Sequence, residues 1–184
     1  MTKAKVAATK ARVATAWLDG CSGCHMSLLD MDERLLELAG KIDVVFSPLV
    51  DQKEFPENVD VALVEGAVSS DEDLEKILKV RARSRLLVSL GDCAVTANIP
   101  SMRNPFKVRD VLDRAYVENA SLQPGAPREA VPTLLPRARP IHEFVNVDVY
   151  VPGCPPSADT IFLVLTDILE GRCPDLSAKT RFGA

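Results

Sequence analysis

The sequence predicts an α/β fold: a mostly parallel five-stranded sheet with helices on both faces. Three observations carry the prediction. Short apolar runs alternate with segments of helical period along most of the chain. One run, residues 59–64, is almost continuously apolar, as in strands covered on both sides. Loops rich in glycine, serine or proline follow several of these runs, punctuating strand from helix.

Residues 1–11 are small and basic and read as an N-terminal arm. Residues 12–18, with Val13, Ala14, Ala16, Trp17 and Leu18, form a first strand. It runs into a loop at Asp19-Gly20-Cys21-Ser22-Gly23-Cys24. Leu28, Met31, Leu35 and Leu38 then fall on one apolar stripe of a helix, and Gly40 stops it. Residues 42–46 and 59–64 are the second and third strands. Ser69 with Glu72 fits a capping box, and Asp71, Glu72 and Asp73 suit the positive end of a helix dipole. That helix continues through Leu74, Ile77, Leu78 and Arg81. Residues 86–90 are a fourth strand ending at Gly91-Asp92-Cys93.

Residues 98–105 read as a loop and 106–116 as a short helix. Residues 119–142 carry Pro124, Pro127, Pro132, Pro136 and Pro140. That is a long connection for a compact domain, expected as an extended segment pinned to this domain or a partner. Residues 144–151 alternate apolar and polar side chains and form a fifth strand. Val151-Pro152-Gly153-Cys154-Pro155-Pro156 follows. Ser157 then caps a last helix through Leu169, apolar almost all round and so buried, with Gly171 as its stop. This order suits a flavodoxin-like arrangement, with residues 12–184 as a single domain.

The 184 residues suffice for one domain that buries about two-thirds of its unfolded surface. A net charge of −4 and 5% aromatic content argue against a nucleic-acid partner. No apolar run approaches the roughly 20 residues that cross a bilayer, and no secretory signal is visible. A cytoplasmic protein is expected. There, grouped cysteines point to metal or redox chemistry rather than disulfides.

The cysteines are informative by position. Cys21 and Cys24 follow the first strand, Cys93 the fourth and Cys154 the fifth. The carboxyl ends of parallel strands share one edge of the sheet, where ligands bind. Four thiols distant in sequence are therefore expected to meet there. Zinc and iron–sulfur clusters both take four thiolates. Only one pair of these cysteines is close in sequence, and the chain needs no zinc staple for its core. Both points favour a 4Fe–4S cluster, with zinc as the alternative. Buried free thiols, or a thioredoxin-type pair at Cys21 and Cys24, are the readings without a shared metal. The helix that opens at Cys24 should aim free N–H groups at the site. Cys173 is left over and reads as structural or incidental.

Four blocks of sequence carry a resemblance. They are Trp17-Leu18-Asp19-Gly20-Cys21-Ser22-Gly23-Cys24-His25-Met26-Ser27, Val64-Glu65-Gly66-Ala67-Val68, Gly91-Asp92-Cys93-Ala94 and Val151-Pro152-Gly153-Cys154-Pro155-Pro156. Together they resemble the small subunits of NiFe hydrogenases, above all the cytosolic NAD-reducing branch. The related quinone-reductase subunit of respiratory complex I shares the last block. Its cysteines are expected to be adjacent, whereas Cys21 and Cys24 are separated.

The resemblance implies that Cys21, Cys24, Cys93 and Cys154 hold one 4Fe–4S cluster, the one nearest the NiFe centre. It implies a NiFe large subunit as partner. It also implies a diaphorase module bearing FMN, further Fe–S clusters and the NAD site. This chain would then relay electrons and perform no substrate chemistry alone. With no Ser/Thr-rich phosphate loop after the first strand, FMN is not expected in this subunit. The alternatives are a small subunit serving a quinone or other carrier, and a zinc-stabilised binding domain without redox function.

Glu65, at the end of the third strand, should face the same edge; proton handling and simple capping are its two readings. His25 could donate to a sulfur, line an interface or cap. Asp19 and Asp92 are expected at loop hydrogen bonds, Trp17 in the core, and Arg137 with Arg139 on a charged face.

Overall fold

The computed structural model describes residues 10–177 and Lys179. The arm expected at residues 1–11 lies largely outside them, and Ala11 already belongs to the first strand, β1 (Ala11–Trp17). The single helix expected next is two, α1 (Gly23–Leu29) and α2 (Arg34–Ala39). Between them Asp32 takes φ 49°, a left-handed conformation that Asp tolerates and that ends a helix. The apolar stripe survives the break. Met31 and Leu38 are buried, and Leu28 and Leu35 pack on the same core. β2 (Ile42–Phe46) and β3 (Val59–Glu65) stand where expected.

A short strand missed by the sequence reading, β4 (Val68–Ser70), leads into α3 (Asp71–Arg83). The cap of α3 lies one residue later than expected. Ser70, not Ser69, is the N-cap, and Asp73, not Glu72, completes the capping box. The register is set by strand pairing through Ser70, which leaves Asp71 as the first helical residue. β5 (Ser84–Leu90) follows, then α4 (Asp92–Thr96), which carries Cys93. The expected loop at 98–105 contains a 3₁₀ turn, Ile99–Arg103. α5 (Val108–Asp113) continues as a wider π turn, Arg114–Glu118.

The long proline-rich connection is pinned to the domain in part. Its β6 (Leu134–Arg139) pairs antiparallel with β4. The fifth strand of the main sheet, β7 (Val149–Val151), is much shorter than the 144–151 expected. Phe144, Val145 and Val147 pack instead on the core under α3, so their apolar character serves packing rather than pairing. α6 (Ala158–Leu169) is capped by Ser157, which accepts from the Thr160 backbone N–H at 3.2 Å.

The main sheet has the order β2-β1-β3-β5-β7, parallel throughout. Counting only its five strands, this is the flavodoxin-like 2-1-3-4-5 order. Period-two alternation divides the core. Ala14, Ala16, Ala62, Val64 and Leu87 face Ile77 and Val80 of α3. Val13, Val61, Leu63, Val88 and Val151 face Met31, Leu38, Ile161, Val164 and Leu165 beneath α2 and α6. Each buried Val, Leu, Ile or Met among them contributes roughly 1.5–3 kcal/mol of transfer free energy. Strand register matters most at the carboxyl ends. Trp17 pairs with Glu65, Glu65 with Leu90, and Leu90 with Val151. One row of residues thus marks the edge from which all four expected ligand cysteines emerge.

Candidate metal centre

The first cysteine loop is fixed by an extension of the sheet. Leu18 N–H donates to Glu65 O at 2.9 Å. Asp19 and Ala67 then exchange two backbone hydrogen bonds of 3.0 and 2.7 Å. Gly66 makes this closeness possible. It sits at φ 89°, and a Cβ there would lie 2.8 Å from Asp19 O. Ser22, left-handed at φ 64°, turns the chain into α1. Gly23 N–H points at the Cys21 Sγ, 3.4 Å away.

The other two loops brace each other. Gly91 N–H donates to Val151 O at 2.8 Å, and Asp92 N–H to Gly153 O at 2.9 Å. The Asp92 carboxylate accepts from Gly153 N–H at 2.7 Å, the loop role expected of it. Cys93 and Cys154 are held together by this brace. A third tie joins them to the first loop, as Ser27 Oγ donates to Pro156 O at 2.5 Å. Gly91 completes the arrangement. A Cβ on it would sit 2.2 Å from the Cys24 Sγ, at φ 82°. Cys24 can occupy its position only against a glycine.

Cys21, Cys24, Cys93 and Cys154 are brought to this one edge, and all are free thiols. Cys24 and Cys93 are half-buried, whereas Cys21 and Cys154 are exposed. Burial pushes the Cys24 thiol strongly up, and charge on Glu65, Cys93, Cys21 and Cys154 pushes the same way. Cys93 is raised too, first by burial and then by Cys154, Cys21 and Glu65. The Ile99 backbone N–H opposes the rise. Among the described residues, no three His, Cys, Asp or Glu side chains are gathered tightly enough to hold a single metal ion. Cys173 lies apart, exposed beyond α6.

Glu65 and His25 stand beneath the thiols, each only 2% exposed. One Glu65 oxygen accepts from both the backbone N–H and the Nδ1 of His25, each at 2.8 Å. His25 therefore ties α1 to the end of β3. Its ring meets Trp17 edge-on, with centroids 5.3 Å apart, and its Nε2 is buried without a partner. Arg139 stacks on Phe144 and pairs with Glu143, part of the exposed charge expected there.

One residue at the edge escaped the sequence reading. Asn98 directs its side-chain amide at the Cys154 Sγ, 3.6 Å away. Nothing local distinguishes it from an ordinary loop asparagine, and only the meeting of two distant loops gives it a sulfur.

Residues 21–168 match the family described as NADH ubiquinone oxidoreductase, 20 Kd subunit. The chain is also 44% identical, over 175 residues, to the delta subunit of the NAD-reducing hydrogenase HoxS of Cupriavidus necator. The match covers 92% of this chain and 84% of that one. The chain belongs to this family, among its hydrogenase subunits. It is thus part of an oxidoreductase that acts on hydrogen. The hydrogenase subunit is 36% identical to one subunit of the F420-non-reducing vhu hydrogenase of Methanocaldococcus jannaschii, and the match spans 91% of this chain but 59% of that longer one. Its fold superposes with a TM-score of 0.90 on a chain of an NAD⁺-reducing [NiFe]-hydrogenase in the H₂-reduced state. Identity there is 43%, covering 95% of this chain and 99% of that one. Among its described residues no helix is long and apolar enough to cross a membrane.

Proposed function

We propose that this hydrogenase subunit is a cytoplasmic electron relay between a NiFe site on a large subunit and a diaphorase module carrying FMN, Fe–S clusters and the NAD site. The overall reaction would be H₂ + NAD⁺ = H⁺ + NADH. The observation that supports this most is the convergence of Cys21, Cys24, Cys93 and Cys154 on one braced sheet edge, in a chain so similar to an NAD-reducing hydrogenase subunit.

The donor set fits one 4Fe–4S cluster. Four thiols from three separate loops, with only Cys21 and Cys24 close in sequence, suit a cluster better than a single zinc. Gly91, lacking a Cβ, leaves room for the Cys24 sulfur. When bound, such a cluster supplies one-electron chemistry with little ligand movement. This chain's residues then have defined tasks. The four thiols bind as thiolates, so loading releases their protons. Asp92, Ser27 and the Asp19–Ala67 bridge hold the three loops in place. Glu65 and His25 form a buried polar support beneath the first loop.

Replacing Cys93 with serine in the assembled complex tests the reading. Loss of this chain's iron together with loss of hydrogen-driven NAD⁺ reduction is expected. Undiminished iron and activity would contradict the ligand assignment. The F420-non-reducing relatives favour a second reading, a different electron carrier. Hydrogen oxidation that reduces an artificial dye but not NAD⁺ would select it.

A further inference from the structure

One short turn reaches two of the candidate cysteines, Cys93 at its backbone carbonyl and Cys154 at its sulfur. α4 ends at Ala97, left-handed at φ 63°, whose N–H closes the helix onto Cys93 O at 3.0 Å. The next residue, Asn98, places its side-chain Nδ2 3.6 Å from the Cys154 Sγ. The contact is longer than the about 2.9 Å of an N–H···O bond, as the larger sulfur atom demands. Cys93 and Cys154 come from different strand ends, so this turn serves two loops at once.

The turn is held from behind. Asn98 O accepts from the Ser101 hydroxyl at 2.7 Å and from the Ser101 N–H at 3.2 Å. Arg103 Nη2 reaches Ser69 O and Leu135 O, each at 3.0 Å, clasping β4 and β6. The Asn104 side chain exchanges two 2.8 Å bonds with the Ala138 backbone, as another strand would. Through these ties the proline-rich segment anchors the turn that bears Asn98.

An N–H aimed at a ligating sulfur stabilises added negative charge, and so favours the reduced form of an iron–sulfur group. We infer that Asn98 is a positioning residue whose amide raises the reduction potential of the group held by Cys154 and its three fellow cysteines. The inference rests on the iron–sulfur reading above and assigns a residue outside its ligand set. Asn98→Leu removes the donor at similar size. Asn98→Asp replaces it with a carboxylate that opposes reduction, and Asn98→Ala removes it without bulk.

The test uses the assembled complex, with iron and sulfide measured alongside a redox titration followed by electron paramagnetic resonance. The signal to follow is the one that Cys93→Ser abolishes. Wild-type iron content with a lowered midpoint is expected for Leu and Ala, and a lower midpoint still for Asp. An iron-loaded Leu or Ala variant whose midpoint equals that of wild type overturns the role of Asn98 and leaves the cluster standing. A wild-type subunit without iron overturns the cluster itself, and the role of Asn98 with it.

Discussion

Gly91 leaves its neighbour no alternative. The 2.2 Å between a Cβ there and the Cys24 Sγ is far inside van der Waals contact, and φ 82° adds backbone strain to any side chain. Gly91→Ala should therefore lose most of the iron bound by the chain. Gly125→Ala, at a glycine with nothing within 4 Å, should keep it. Iron analysis of the two purified variants checks this. His25→Phe keeps a ring against Trp17 but removes the Nδ1–H that Glu65 accepts. The buried carboxylate then keeps only the backbone donor, which should cost about 1–3 kcal/mol. A denaturant titration of the two proteins measures it. The cysteines could be read from sequence because a thiol's chemistry travels with its residue type. The pairing of His25 with Glu65 and of Asn98 with Cys154 could not. Each joins residues 40 and 56 positions apart, and only the finished sheet brings them together.

At the scale of elements, apolar patterning located the four longer strands of the main sheet and the helices α3 and α6, because burial dictates that pattern; on α3 it included Leu78, which is exposed, and left out the buried Val80. It misjudged positions where polar side chains replace backbone partners. Asp148 is the clearest. Its carboxylate accepts from Leu87 N–H at 2.7 Å and from Arg81, where a longer β7 was expected to pair. The cap of α3 is another, since Ser69 and Ser70 are indistinguishable until β4 pairs with β6. Ser70→Ala should destabilise the subunit by about 1 kcal/mol, because Ser70 Oγ accepts from Asp73 N–H at 3.1 Å. Ser69→Ala should cost less, its hydroxyl having only a 3.5 Å contact with Asp73. Thermal unfolding of both variants distinguishes the two caps.

For the molecule as a whole, the parallel order of strands makes one edge out of three distant loops, and that global consequence was legible before any side-chain contact was. The surroundings of the edge were not. Met26 and Ile99, beside the cysteine loops, stand 61% and 60% exposed. Their place beside the cysteine loops puts them where the partner proposed above would meet this edge. With the large subunit proposed above as partner, Ile99→Asp should weaken that association about tenfold, a loss of ~1.4 kcal/mol, read as reduced co-purification at low concentration. The central claim is that Cys21, Cys24, Cys93 and Cys154 together hold one 4Fe–4S cluster. Its most direct test is metal and acid-labile sulfide analysis of the chain purified without oxygen. Four irons and four sulfides per chain, on the order set by one such cluster, is the predicted result. One zinc with neither iron nor sulfide would contradict it.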